Sequence, residues 1–203
     1  GIGSIYWHMV AKLLVAVQES LGAAQRAGAD PAAIDRLADA YERVRFGLGY
    51  NRSAREFGAI PIDPYSHTPT HAGAQQPGMT GAVKEEILAR PRELGVRVDR
   101  GQIVFDSLLL RSAELLDSPA SWTVRSVGGG DVVVDLSAGA LGLTLCQVPV
   151  VVARTQGEPS VEVDFADGRT ERHEGDRLDR STSAAVFGRT GEVDRIRATV
   201  RMP

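Results

Sequence analysis

Leu94-Gly95-Val96-Arg97-Val98-Asp99-Arg100-Gly101-Gln102-Ile103-Val104-Phe105-Asp106 is where the chain changes its hydrophobic period and, with it, its secondary structure. Val96 and Val98 on one side and Ile103 and Phe105 on the other flank Asp99-Arg100-Gly101, the pattern of a β-hairpin closed by a glycine-containing turn. Upstream, apolar residues recur every three to four positions; downstream they recur every two. Helices followed by strands, without alternation between them, argue against a βαβ sheet and predict an α+β protein with segregated layers or separate domains. The boundary falls between a helical part, residues 1–93, and a β-part, residues 94–203.

Working outward toward the N-terminus, Gly81 opens a short helix that Pro91 is expected to stop by residue 91. Further upstream, Asp30 and Pro31 start a helix whose apolar face is Ile34, Leu37, Ala38, Tyr41 and Val44, ended by Gly47 and Gly49. The first helix is expected to be capped by Ser4, to bury Ile5, Met9, Leu13, Val17 and Leu21, and to stop at Gly22. Between the last two of these helices lies a stretch, 50–81, with neither period. A connection of that length within a compact domain is a functional loop or a linker. Its mixture of Phe, Ile, Tyr, Met, His and Gln lacks the bias of disorder, which favours an ordered, site-forming loop.

Toward the C-terminus, short strands are predicted over 122–127, 131–136, 141–146, 150–154, 160–165, 169–173, 184–187 and 195–200. Turns such as Gly128-Gly129-Gly130 and Ala166-Asp167-Gly168 separate them, the spacing of an antiparallel sandwich. Cys146 ends an apolar run and reads as a core thiol.

Composition bounds the function. With 43% hydrophobic and 24% charged residues the chain can build a soluble core. A formal charge of −3 without any basic stripe argues against nucleic acid and against anionic membrane as partners. The longest apolar segment, 9–17, is broken by Lys12 and too short to span a bilayer. One cysteine cannot close an internal disulfide, so a reducing, cytoplasmic location is expected. The opening Gly1-Ile2-Gly3-Ser4, without an initiator methionine, is that expected of a piece of a longer polypeptide.

Several residue groups could carry chemistry. Thr80 and Gly81 stand where the long loop meets the third helix; a capping threonine followed by small residues leaves first-turn N–H groups available to an anion, although Thr80 capping its own helix explains the same pattern. His8 and Lys12 share one face of the first helix, suited to an anion held elsewhere or to a core histidine beside a surface lysine. His67 and His71 are also four apart, but Pro69 between them argues against a helical metal pair, and no metal site is expected. Glu85 and Glu86 are adjacent and so diverge on a helix, whereas Asp63 sits in a backbone fixed by Pro64 and Tyr65. His173 lies in a charged hairpin and is expected to face solvent. The chain carries no nucleophile elbow, Walker loop or dinucleotide fingerprint.

The order of these pieces resembles a family. Gly1-Ile2-Gly3-Ser4-Ile5-Tyr6-Trp7-His8 is similar to the Glu-Asn-Gly-Gly-x-Tyr-x-His motif of the inverting disaccharide phosphorylases, glycoside hydrolase family 94, which include cellobiose phosphorylase. Asp63-Pro64-Tyr65 resembles that family's Glu-Pro-Tyr, and Thr80-Gly81 its Thr-Gly-Ser phosphate loop. Leu94 to Val98 with Gly101 to Asp106 resembles its exit from a helical barrel into a C-terminal β-domain. Gly1 and Ile2 replace the sugar-lining glutamate and asparagine, Ala82 replaces the serine, and Glu85 stands where an aromatic is usual.

The resemblance implies the end of an (α/α)6 barrel followed by a β-sandwich. It implies phosphate binding by His8, Thr80 and Gly81, and sugar contacts from Tyr6, Asp63, Tyr65, His71 and Gln76. It further implies an oligosaccharide substrate, inorganic phosphate as co-substrate with no other cofactor, and a general acid in an N-terminal part of the same polypeptide. No catalytic residue then lies in this chain, which alone should be inactive. Two alternatives stay open: a glycoside hydrolase of the same architecture, with Asp63 or Glu85 as local base, and a non-catalytic carbohydrate-binding or structural module.

Overall fold

The computed structural model describes residues 4–5, 7–48, 68–69 and 82–201. The chain is mixed α+β and divides into two compact units, Gly1–Arg90 and Pro91–Pro203. No described helix is long and apolar enough to cross a membrane.

The helical unit opens with β1 (Ser4–Ile5), followed by α1 (Trp7–Arg26) and α2 (Pro31–Leu48). The sequence expectation for α1 is wrong in three respects. Ser4 and Ile5 pair as a strand instead of capping and starting the helix. The buried stripe is Ala11, Leu14, Gln18 and Leu21, while Met9 and Leu13 are about half exposed, at 55% and 50%. Helix α1 also passes through Gly22 and ends at Arg26, closed by Gly28, whose φ of 64° lets Ala29 N–H reach the carbonyl of Ala24 at 3.0 Å. A glycine stops a helix only where the chain turns left-handed, and Gly22 has a helical position on the buried side. A four-residue connection returns the chain into α2, whose start is fixed by Asp30 C=O accepting from Ala33 and Ile34. Tyr41, Arg45 and Leu48 are buried on α2, and Gly47 lies within the helix. Strand β2 (Thr68–Pro69) pairs antiparallel with β1.

Helix α3 (Ala82–Glu93) contains Pro91 instead of stopping at it. The proline stands in the last turn, where the following amides close tight turns, Leu94 N–H onto Pro91 C=O and Gly95 N–H onto Arg92 C=O at 3.1 Å each.

In the β-unit the hairpin that marks the changeover is present as β3 (Val96–Asp99) and β4 (Gln102–Phe105), turned by Arg100 and Gly101 at φ 50° and 81°. Next come β5 (Ala120–Arg125) and β6 (Asp131–Leu136), a second hairpin around the three glycines. A five-stranded sheet follows, built from β7 (Ala140–Leu145), β8 (Val148–Thr155), β9 (Ser160–Phe165), β10 (Thr170–Glu174) and β11 (Val193–Arg201) in the order β10-β9-β11-β8-β7. One pairing departs from the antiparallel expectation: β11 enters between β8 and β9 and runs parallel to β8, Ile196 opposite Val150. A parallel neighbour needs a crossover, and the crossover is α4 (Arg180–Gly188).

Helix α4 replaces the strand expected over 184–187. Asp179 caps it, accepting from Thr182 N–H at 2.8 Å, and Arg189 in the left-handed region ends it. One face of the sheet, with Val150, Val152, Val161, Val163, Ile196, Ala198 and Val200, packs on Ile103, Phe105, Leu178 and Val186 from the first hairpin, its flanking segment and α4. On the other face Trp122, Val124, Val134 and Leu136 of the second hairpin pack against Val151. Gly142 leaves the room they need: a Cβ there would lie 2.9 Å from Leu136 Cδ1 and 3.0 Å from Trp122 Cε3. Cys146 is not a strand residue but the first residue of the β7–β8 turn, at φ 51°, half-buried and packed against the core.

Candidate functional site

Of the residues expected to contact phosphate or sugar, Tyr6, Asp63, Tyr65, His71, Gln76, Thr80 and Gly81 lie outside the described residues; His8 belongs to the first turn of α1, described by its backbone alone. What the structure describes is the chain that flanks some of them in sequence. Ser4 pairs with Pro69 and Ile5 with Thr68, so the opening segment and the long loop meet at the backbone across more than sixty residues of sequence. His8 follows the paired Ile5 by three residues, a chain reach of at most about 11 Å. Helix α3 begins at Ala82, directly after Thr80 and Gly81 in the sequence.

Gln18 fastens the helices of this unit to one another. It is 5% exposed on the inner stripe of α1 and donates through Nε2 to the carbonyl of Ala89 on α3 at 3.0 Å and to the hydroxyl of Tyr41 on α2 at 3.4 Å. A buried amide in this position is costly unless its hydrogen bonds are made, so it fixes how the three helices meet. Periodicity does not single it out, because a polar residue on a helix is ordinarily assigned to the solvent face.

The β-unit carries a lattice of charge on the sheet face that the second hairpin leaves open. Asp164 receives Arg197 through two guanidinium nitrogens, at 2.5 and 2.9 Å, and Arg195 Nε at 2.9 Å. Arg197 Nε also reaches Glu162 at 3.2 Å, and Arg172 stands 3.5 Å from the same carboxylate. The Arg197 hydrogen bond outweighs burial and, with Arg195 and Thr170, holds Asp164 down at about 2. A carboxylate this committed to guanidinium groups stays ionised at neutral pH and cannot act as an acid or base there. The lattice is a structural face.

A second polar corner joins β10 to α4. His173 is half-buried, contrary to the solvent-facing expectation, because it points to the core side of the edge strand opposite Val161. Its Nε2 lies 3.9 Å from Asp179 Oδ2 and 4.0 Å from Glu171 Oε2, without a hydrogen bond. Burial works to raise Asp179, but the Ser181 hydroxyl, the Thr182 N–H and hydroxyl, and the charge of His173 together hold it at about 2. Of the aromatic residues of the β-unit, Phe105 is buried, Trp122 packs with the second hairpin and Phe165 lies under Arg169, whose guanidinium carbon is 4.1 Å from the ring centre, while Phe187 on α4 is exposed. No group of three His, Cys, Asp or Glu side chains able to hold a metal occurs among the described residues.

No protein-family model matches the chain, and no curated protein matches it.

Proposed function

We propose that the chain is the C-terminal part of a carbohydrate-active enzyme that cleaves glycosidic bonds by inverting phosphorolysis. His8 with Thr80 and Gly81 would hold the attacking phosphate, and Tyr6, Asp63, Tyr65, His71 and Gln76 would line the sugar. The α1–α2 hairpin is the kind of unit an (α/α)6 barrel repeats, and the second hairpin layered on the five-stranded sheet suits a sandwich-like C-terminal domain. The observation that carries the reading is the β1–β2 pairing: it joins the segment leading to His8 to the loop that leads to Thr80 and Gly81. In this reading the phosphate attacks the anomeric carbon from one face while a general acid outside residues 1–203 protonates the leaving oxygen on the other. Helix α3 adds its N-terminal N–H groups and dipole to the charge of the nucleophile.

The test is the polypeptide joined to its preceding barrel sequence, given a panel of disaccharides with and without inorganic phosphate. Sugar 1-phosphate formed only with phosphate supports phosphorolysis. Free sugar released at a phosphate-independent rate would make the protein a hydrolase, and no turnover with retained glycan binding would make it a binding module.

A further inference from the structure

We infer that the edge of β7, which no described strand covers, is a self-association site, at which a second copy of this chain adds its own β7 antiparallel to form a continuous ten-stranded sheet.

The hairpin geometry fixes which groups face that edge. Cys146 and Gln147, at φ 51° and 70°, form a two-residue turn, so the closing pair Leu145–Val148 is hydrogen-bonded within the hairpin. Pro149 opposite Thr144 has no N–H to give, which agrees with that phase. Alternation then turns Leu145, Leu143 and Leu141 toward β8 and leaves the N–H and C=O of Thr144, Gly142 and Ala140 pointing outward. At Ala140 the edge is closed by Leu116, whose N–H reaches Ala140 C=O at 2.9 Å. Gly142 and Thr144 have no such partner among the described residues.

The sheet's two edges are built differently. Edge strand β10 reads Thr170-Glu171-Arg172-His173-Glu174, the charged composition that discourages pairing; about a two-fold axis at its centre, Arg172 would meet its own copy. Strand β7 carries no charge, so self-pairing brings no like charges together. Leu141, Leu143 and Leu145 are half-buried at the margin of the core, on the same side as Val148, Val150 and Val152. A two-fold axis at Leu143 sets Leu143 against its copy and Leu141 against Leu145, which extends the core across the junction. The same register puts Gly142 opposite Thr144 of the partner subunit, and each such pair exchanges both backbone hydrogen bonds. Leu116 prevents any longer register.

Five residues of strand make a small interface, so association is expected at concentrations on the order of 10–100 µM. Sedimentation velocity of the 203-residue chain across that range should show a monomer giving way to a dimer. Thr144→Pro removes an outward N–H that β8 does not use; it should leave the circular dichroism spectrum unchanged and abolish the dimer. In a Cys146→Ser background, Leu143→Cys should oxidise to an intermolecular disulfide, because directly opposed residues of a non-hydrogen-bonded pair stand about 4.5 Å apart at Cα. A chain monomeric throughout the range, or a folded Thr144→Pro protein that still dimerises, overturns the assignment.

Discussion

Gly142 and Asp164 show how single residues decide the layering of the β-unit. At Gly142 the Trp122 ring and Leu136 come so close that a methyl group must displace one of them. Gly142→Ala is therefore expected to lose about 1–3 kcal/mol in chemical denaturation, with a change in Trp122 fluorescence that reports the shifted ring. At Asp164 the expectation concerns pH. Its folded-state value of about 2 lies below the ordinary 3.8, so its contribution is fully present above pH 4 and is lost as pH falls toward 2. A shift of that size corresponds to about 2.5 kcal/mol without screening, and water at this partly open face reduces it to about 1 kcal/mol. Urea midpoints measured from pH 5 to pH 2 should fall less steeply for Asp164→Asn than for the parent chain; identical slopes would remove the pair from the acid response.

At the scale of elements, Gln18 binds α1 to α2 and α3 in the helical unit. Gln18→Leu keeps the volume but leaves the carbonyl of Ala89 and the Tyr41 hydroxyl without this donor, and a loss of about 1–3 kcal/mol is expected in thermal or urea unfolding. The same helix shows what the sequence could and could not convey. Its existence was legible from the three-and-four spacing, but its rotation was not. Ala11, Leu14, Gln18 and Leu21 form the inner stripe, and the more apolar Met9 and Leu13 do not belong to it, because small and hydrogen-bonded residues suit a close helix junction. The hairpins were legible because their turns demand glycine at positive φ, as at Gly101, Gly129 and Gly168. Helix α4 was missed since Ala184 to Phe187 is short and apolar, and only the Asp179 cap with Ser181 and Thr182 separates it from a strand. The parallel entry of β11 follows from that helix and was invisible for the same reason.

Across the whole molecule the α+β division was visible at Gly95, where the hydrophobic period changes. The expected anion site was legible only as an order of short motifs. Its residues are spread from His8 to Gly81 in the sequence, and hydrophobic periodicity says nothing about how segments so far apart in sequence meet. The pairing of Ser4 and Ile5 with Pro69 and Thr68 joins the opening segment to one point of the long loop, and it is the support for the role proposed for His8, Thr80 and Gly81. Inorganic phosphate titrated into the 203-residue chain, followed by isothermal calorimetry, tests that role most directly. Saturable binding is expected, weakened about tenfold or more by His8→Ala and by Thr80→Ala and unchanged by Arg172→Ala in the β-unit. Absence of phosphate binding, or binding indifferent to His8 and Thr80, would contradict the account.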